Sequence, residues 1–179
     1  IFIQWENSYF YPAISSANHV TDWGKQPIKF RTDVAMMGKL GFDIVVDHLK
    51  EKDLKFAQEA VKNYNAVKHI IWKGDQYRLS HPKKDDVAAM LFVSKDKNSG
   101  LLCNYLVNSR YGAGSKFPIK LEGLNPDKKY KLTETNLYPE TTSKIDESKV
   151  YSGDFLMTVG FNPQVNKDRA SVILKIEAQ

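Results

Sequence analysis

The spacing of apolar residues along the chain changes near Gly74. In the 20 or so residues before it, apolar side chains recur every three or four positions while charged side chains fill the opposite face. These apolar positions are Leu54, Ala57, Val61, Tyr64, Val67 and Ile71. The pattern predicts an amphipathic helix over about residues 50–72, with Gly74 as its stop signal.

Shorter elements precede this helix. Residues 31–40 are rich in helix formers, Gly41 ends that run, and residues 42–46 form a short apolar strand pattern. Further upstream, residues 8–14 predict a helix end that leads into another buried strand, followed by a polar loop up to Pro27. The first 75 residues or so therefore predict two consecutive β/α units, which need partners upstream or burial against the second half.

After Gly74 the pattern is that of strands separated by turn residues. The predicted strands cover residues 76–80, 87–94, 101–107, 117–121, 129–135, 154–159 and 171–176. Polar and apolar residues largely alternate in the fifth and seventh of them, which is typical of strands with one face in water. The second half is therefore predicted to be an antiparallel β-sandwich, and the whole chain belongs to the α+β class.

Composition narrows the classes of protein. Hydrophobic residues make up 42% of the 179 residues and charged residues 26%, as in ordinary globular proteins. The net charge of +5 is mild, and acidic neighbours offset the main lysine clusters, so we expect no nucleic-acid partner. The apolar run at residues 87–94 is far short of the ~20 residues that span a bilayer. The sole cysteine, Cys103, lies in a strand pattern and is expected to be buried and inert.

Two residues in the polar loop, His19 and Trp23, are candidates for ligand binding. His19 follows a predicted strand, and the ends of strands in β/α proteins are where ligand groups gather. A histidine that is hydrogen-bonded within its loop is the simpler interpretation. Trp23 nearby suits stacking on a sugar ring as well as it suits covering the rim of a barrel.

Three aspartates, Asp33, Asp43 and Asp47, offer carboxylates. Asp33 falls in the predicted first turn of a helix, where capping or a dipole interaction explains it. Asp43 lies in an apolar run and needs either a buried ion pair, for instance with Arg31, or a ligand. The spacing selects no pair of carboxylates at the separation that a retaining glycosidase requires.

The sequence gives little support for metal binding, an organic cofactor or a phosphate-binding loop. The four histidines show no metal-ligand spacing, and we expect neither a metal nor an organic cofactor. The run YGAGSK at residues 111–116 resembles a phosphate loop, but a predicted strand follows it instead of the helix whose N-terminus would bind phosphate.

Several motifs, taken together and in order, resemble family 36 glycoside hydrolases, the α-galactosidases. The most specific is RTDVAMMGKLGFD at residues 31–43. The others are YFYP at 9–12, NHVT at 18–21, GDQYRL at 74–79, GLNPDKKY at 123–130 and YSGD at 151–154. The resemblance covers nearly the whole chain and is expected to be to Bacteroides-type members of the family.

The resemblance implies a domain arrangement and a division of labour. Residues 1–73 would be the last units of a (β/α)8 barrel, and residues 74–179 a C-terminal antiparallel β-domain. Members of the family cleave terminal α-galactosides with retention, and their nucleophile and acid/base motifs lie upstream of any residue in this chain. The chain alone is therefore expected to be inactive, with α-galactosides and the missing N-terminal part as its partners.

The substrate side of the barrel would be represented here by His19, Asn18 and Trp23. Where many relatives have Gly-Ala-His-Val-Ser, residues 16–21 read SANHVT, so that Asn18 adds a polar side chain near the barrel mouth. This departure leaves another α-glycoside open as the substrate. A non-catalytic carbohydrate-binding or interaction module is the alternative function, with Tyr105, Tyr111, Tyr138 and Tyr151 as its candidate sugar platform.

The chain begins IFIQW without an initiator methionine or a signal peptide pattern, which is typical of a cut inside a longer polypeptide. An incomplete barrel exposes strand edges and apolar helix faces, so we expect self-association or a homo-oligomer. The parent protein is expected to be periplasmic or secreted.

Overall fold

The computed structural model describes residues 1–108 and 110–179, with helices dominating the first 73 residues and strands the remainder. The helices are α1 (Phe2–Asn7), α2 (Ile28–Ala35), α3 (Glu51–Lys73) and α4 (Gly153–Thr158). The strands are β1 (Ala17–Thr21), β2 (Lys39–Asp43), β3 (Asp75–Ser80), β4 (Val87–Val93), β5 (Ser99–Leu106), β6 (Lys129–Thr135), β7 (Val150–Ser152) and β8 (Ser171–Ala178).

The long helix α3 confirms the predicted amphipathic helix, and it ends where the sequence places its stop signal. The Gly74 N–H donates to the Ile70 carbonyl oxygen at 2.8 Å. A Cβ atom at Gly74 would stand 2.4 Å from both the Ile70 and the Val93 carbonyl oxygens, so only glycine fits there. The helix therefore passes directly into the sheet, with its end packed against the end of β4.

The elements upstream of α3 form a β1–α2–β2 unit in which the two strands are parallel. The predicted helix at 31–40 begins and ends earlier, at Ile28–Ala35, because Pro27 precedes its first residue and Gly38 lies where a Cβ would contact the Ser16 carbonyl oxygen. The strand predicted at 42–46 accordingly lies at Lys39–Asp43. The strand expected from residues 8–14 is wrong, since the chain there forms turns and a 3-10 segment at Ala13–Ser15.

The second part of the chain contains a six-stranded antiparallel sheet with strand order β3-β4-β5-β8-β6-β7. Two predicted strands are absent from it. Residues 117–121 contribute only an isolated bridge between Ile119 and Phe161. Residues 154–159 lie largely in helix α4, which Ser152 caps by accepting the Phe155 N–H at 3.1 Å. Among the described residues the antiparallel strands thus form one sheet rather than two facing sheets.

Both faces of this sheet are covered. One face packs on α1, α3 and the turn after α2, through residues such as Phe92, Leu101 and Tyr105. The other face packs on α4 and on the coil between strands, through residues such as Leu102 and Leu174. Each of the seven residues of β4 is buried as a result. The molecule is layered, with the β/α unit and α3 on one side of the sheet and α4 with irregular chain on the other.

A buried carboxylate joins the two parts. Asp33 on α2 is fully buried, and Lys29 contacts it at 2.6 Å. Ser171 at the start of β8 donates its hydroxyl to the same oxygen at 2.6 Å, and Asn136 after β6 donates its amide to the other oxygen at 3.1 Å. Tyr105 on β5 donates its hydroxyl to the Asp33 backbone carbonyl at 2.7 Å.

This arrangement corrects the predicted capping role of Asp33, which is the sixth residue of its helix rather than part of the first turn. Burial raises the pKa of Asp33, and the Lys29 ammonium and the hydroxyl and amide donors oppose that rise. Removing the carboxylate would leave its three donors without their acceptor in the core.

We expect Asp33→Ala to destabilise the fold by about 3–5 kcal/mol, because it leaves a buried network without its anion. Asp33→Asn keeps the side-chain size but presents a donor to Lys29 or to its other donors, so it should also destabilise the protein. Urea unfolding measures both variants. Glu51→Ala, which removes an exposed ion pair with Lys55, is the control and should change little. Equal effects at Asp33 and Glu51 would contradict the proposed role of the network.

Cys103 gives a second test of this core. The thiol is fully buried in β5, and burial raises its pKa to about 12. Because the thiolate is the reactive form, a disulfide reagent should not label Cys103 in the folded chain and should label it rapidly in urea. Rapid labelling under native conditions would show that the sheet opens locally.

Candidate functional site

The parallel strands β1 and β2 present one face to α2 and α3 and the other face away from them. Their register places His19 opposite Gly41 and Thr21 opposite Asp43. Val20 and Phe42 pack with the helices. Because side chains alternate along a strand, the opposite face carries Ala17, His19, Thr21, Lys39, Gly41 and Asp43.

His19 lies in the middle of β1 rather than in a loop after a strand, which corrects its predicted position. Its side chain is exposed on the face away from the helices. A Cβ atom at Gly41 would lie 3.1 Å from His19 Cδ2 and 3.5 Å from its Nε2, so the ring extends over the neighbouring strand at Gly41. Because Gly41 has no side chain, the His19 imidazole has room above it.

Asn18 is on the other face of the same strand and is buried. Its amide donates to the Ala35 carbonyl oxygen at 3.2 Å, and its side-chain oxygen accepts the Ser16 hydroxyl at 2.8 Å. The structure therefore does not bring Asn18 together with His19. Its contacts attach β1 to the end of helix α2.

Trp23 lies just beyond the carboxyl end of β1, and 86% of its surface is exposed. The residue before it, Asp22, accepts the Val45 N–H at 3.3 Å and so connects this turn to the segment that follows β2. The residue after it, Gly24, lies against Arg31. The indole thus projects from a turn whose flanking residues are both in contact with the rest of the protein.

Of the two alternatives for Asp43, a buried ion pair with Arg31 or a ligand, the ion pair is not formed. Asp43 is exposed at the carboxyl end of β2. Arg31 instead donates from Nη1 to the Thr21 carbonyl oxygen, at the end of the neighbouring strand. Asp43 needs no buried partner because its side chain faces away from the helices.

A cleft of about 410 Å³ lies between β1, helix α2, the first two residues of the chain and the end of β5. Six of its lining residues are His19, Thr21, Gly24, Gln26, Phe30 and Arg31. Thr21, Gln26 and Arg31 were not among the predicted site residues. Two-residue alternation from His19 would have identified Thr21, whereas Arg31 reaches the site from a helix and no local pattern reveals it.

The other sequence candidates lie apart from this site. Tyr105 is buried under the helices, Tyr151 stacks on Phe155, and Tyr138 donates its hydroxyl to Asp53 at 2.8 Å. Tyr111 is fully exposed in the coil that contains the YGAGSK run. The four tyrosines therefore do not form one sugar platform.

Within 1–108 and 110–179, no group of three or more His, Cys, Asp and Glu side chains is arranged to hold a metal ion. No helix in the described part of the chain combines the length and the apolar character needed to cross a membrane.

Comparison with known proteins shows the family. Residues 87–176 match the glycosyl hydrolase family 36 C-terminal domain, and residues 1–74 match Melibiase. The chain belongs to glycosyl hydrolase family 36 and contains its β-rich C-terminal domain.

Individual relatives agree with this assignment. Alpha-galactosidase 2 of Hypocrea jecorina is 30% identical over 187 residues, covering 100% of this chain and 23% of the relative. The crystal structure of alpha-galactosidase AgaB from Geobacillus stearothermophilus superposes with a TM-score of 0.84 at 26% identity, over 99% of this chain and 24% of that one. A variant of AgaA from the same organism, solved in complex with raffinose, gives the same TM-score and identity over the same shares of the two chains. This chain spans about a quarter of the length of these relatives.

The exposure of Trp23 gives a simple check of the site. Trp5 is buried, whereas Trp23 is the most exposed large apolar side chain at the carboxyl end of β1. Acrylamide should therefore quench the fluorescence of Trp23 far more strongly than that of Trp5. Trp23→Phe should remove most of the quenchable signal, and Trp5→Phe should leave it. A protected Trp23 would mean that the turn folds over the strand end or is covered by a second chain.

Proposed function

We propose that this chain is the C-terminal portion of a retaining α-galactosidase that hydrolyses terminal α-galactosides. Residues 1–73 would supply the last β/α units of its (β/α)8 barrel, and residues 74–179 its C-terminal β-domain. The observation that carries the proposal is the order of the two matches, Melibiase and then the family 36 C-terminal domain. The parallel β1–α2–β2 unit, followed by α3, is the connectivity that such a barrel requires.

The chain by itself is proposed to be inactive. Retaining hydrolysis requires two carboxyl groups about 5 Å apart, one as nucleophile and one as acid/base. At the carboxyl ends of β1 and β2, the carboxylates are Asp22 and Asp43, and Asp22 is engaged with the Val45 N–H. The catalytic pair of the parent enzyme would lie upstream, so the parent would supply the chemistry and this chain part of the substrate side.

His19 and Trp23 are the proposed substrate contacts. Both project from the strand face or strand end that a barrel turns toward its ligand, and both side chains are exposed. An exposed indole offers an apolar face to a sugar ring, and an imidazole offers a hydrogen bond to a hydroxyl. Asn18 would act indirectly by attaching β1 to α2. The raffinose complex of AgaA supports a terminal α-galactoside as the substrate.

Two further predictions about the parent protein concern its assembly and its place within the family. Its oligomeric state and its resemblance to Bacteroides-type members stay predictions. Exposed apolar side chains of the first part, such as Ile3 and Phe10, favour association with further protein.

The first experiment compares hydrolysis of a nitrophenyl α-galactoside by this chain at high concentration with hydrolysis by the product of the complete reading frame. We expect turnover only by the complete protein, since both catalytic carboxylates would be present only there. The corresponding β-galactoside is the substrate control. In the complete protein, Trp23→Ala should raise KM by roughly three- to tenfold, the effect of losing one aromatic stacking contact.

Turnover by the short chain would contradict the proposal, and its loss in Asp43→Asn would assign the activity to that carboxylate. No turnover by the complete protein on any α-galactoside would mean that the family fold serves another function here. Asn18→Ala is the matched control for Trp23→Ala, because it should lower the unfolding temperature with less effect on KM.

A further inference from the structure

We propose that Arg31 is a positioning residue for substrate binding, which fixes the turn between β1 and α2 and thereby the place of Trp23. The inference rests on the proposed function, because it concerns the same substrate side. Arg31 lies on α2 and reaches the end of β1, ten residues earlier in the chain.

The guanidinium group holds the last carbonyl of β1. Arg31 Nη1 donates to the Thr21 backbone oxygen, which closes the chain from Thr21 to α2 into a loop. Within the described residues, no carboxylate lies within ion-pair distance of Arg31. Its Nε is buried without a hydrogen-bond partner among them. A half-buried cation without an anion lowers the stability of the fold. We therefore assign to Arg31 a structural role, which consists of its contact with the Thr21 carbonyl and the packing of its side chain.

The stem of Arg31 also sets the shape of the turn. A Cβ atom at Gly24 would stand 2.9 Å from Arg31 Cδ, so the backbone of the turn lies directly on this side chain. Trp23 is the neighbouring residue. Movement of the Arg31 stem would therefore displace the backbone that carries the indole.

A second contact holds the other side of the turn. The Asp22 carboxylate accepts the Val45 N–H at 3.3 Å, on the segment after β2. Trp23 is thus flanked by two anchored residues while its own side chain remains 86% exposed. Because the backbone is already fixed, stacking of the exposed indole on a ligand would cost little conformational entropy, and the site is preorganised in this sense.

Lysine cannot replace arginine fully here. The planar guanidinium reaches the Thr21 carbonyl with one nitrogen while its stem lies against Gly24, whereas an ammonium on a flexible stem holds the same acceptor less rigidly. Arg31→Lys should consequently be intermediate between the wild type and Arg31→Met, which keeps most of the packing and removes the donor.

The test uses two measurements. In the complete reading-frame product, Arg31→Met should raise KM for the nitrophenyl α-galactoside by roughly three- to tenfold with kcat nearly unchanged, because substrate and transition state lose the same contact. Arg31→Lys should restore part of the loss. In the 179-residue chain, hydrogen exchange of amides 22–25 should become faster in Arg31→Met.

Arg78 provides a matched control. Its Nη1 also donates to a backbone carbonyl, that of Ser8, at 2.9 Å, and its guanidinium lies 4.2 Å from the centre of the Tyr9 ring. Arg78→Met should therefore cost stability without changing KM or the exchange of amides 22–25. If Arg31→Met fails to fold, Gly24→Ala replaces it, because the added methyl group displaces the Arg31 stem without removing the charge.

The outcomes separate the two proposals. If the complete protein does not hydrolyse α-galactosides, the proposed function fails, while amide exchange in the short chain still tests the anchoring of the turn. Unchanged exchange at 22–25, or an equal rise of KM in the Arg78 variant, would overturn the role of Arg31. A loss confined to kcat would also overturn it, since a residue that positions a binding contact should act on KM.

Discussion

The buried Asp33 carboxylate is the interaction on which the arrangement of the whole chain depends. Its partners come from α2 itself, from the segment after β6 and from the start of β8, and the last two follow Asp33 by 103 and 138 residues in sequence. A charge in the core is tolerated only when its donors surround it. Helix α2 carries both Asp33 and Arg31. The contacts of Asp33 that hold α2 on the sheet therefore also hold the backbone from which Arg31 reaches the end of β1.

Much of the fold follows from local pattern. Helix α3 and the central strands of the large sheet have long, regular apolar periods, and the structure contains them near the predicted positions. The two predicted strands that the large sheet lacks have local explanations. Residues 154–159 contain enough apolar side chains for a strand, but Ser152 caps a helix there. Residues 117–121 find only one bridge partner, and the facing sheet of a sandwich is replaced by coil and helix.

The site was less accessible to sequence reasoning than the fold. Residue type and the nearness of a strand point to His19 and Trp23, and both are exposed, His19 in the middle of β1 and Trp23 beyond its carboxyl end. Asn18 joins them as a departure from the family motif, yet adjacent residues in a strand face opposite ways, and Asn18 faces away from His19. Arg31 and Asp33 were misassigned for a related reason. Their partners depend on tertiary contacts, which neither composition nor periodicity encodes.

The junction at Gly74 bears on how the β-rich part can be used or altered. Helix α3 runs into β3 with no linker, and the carbonyl oxygens of Ile70 and Val93 leave no space for a side chain between them. The sheet is therefore a rigid extension of the helix and not a tethered module free to swing. If the chain were divided at this point, each piece would expose the surface that it now buries against the other. A spacer inserted there would separate the sheet from the parallel strands that it supports.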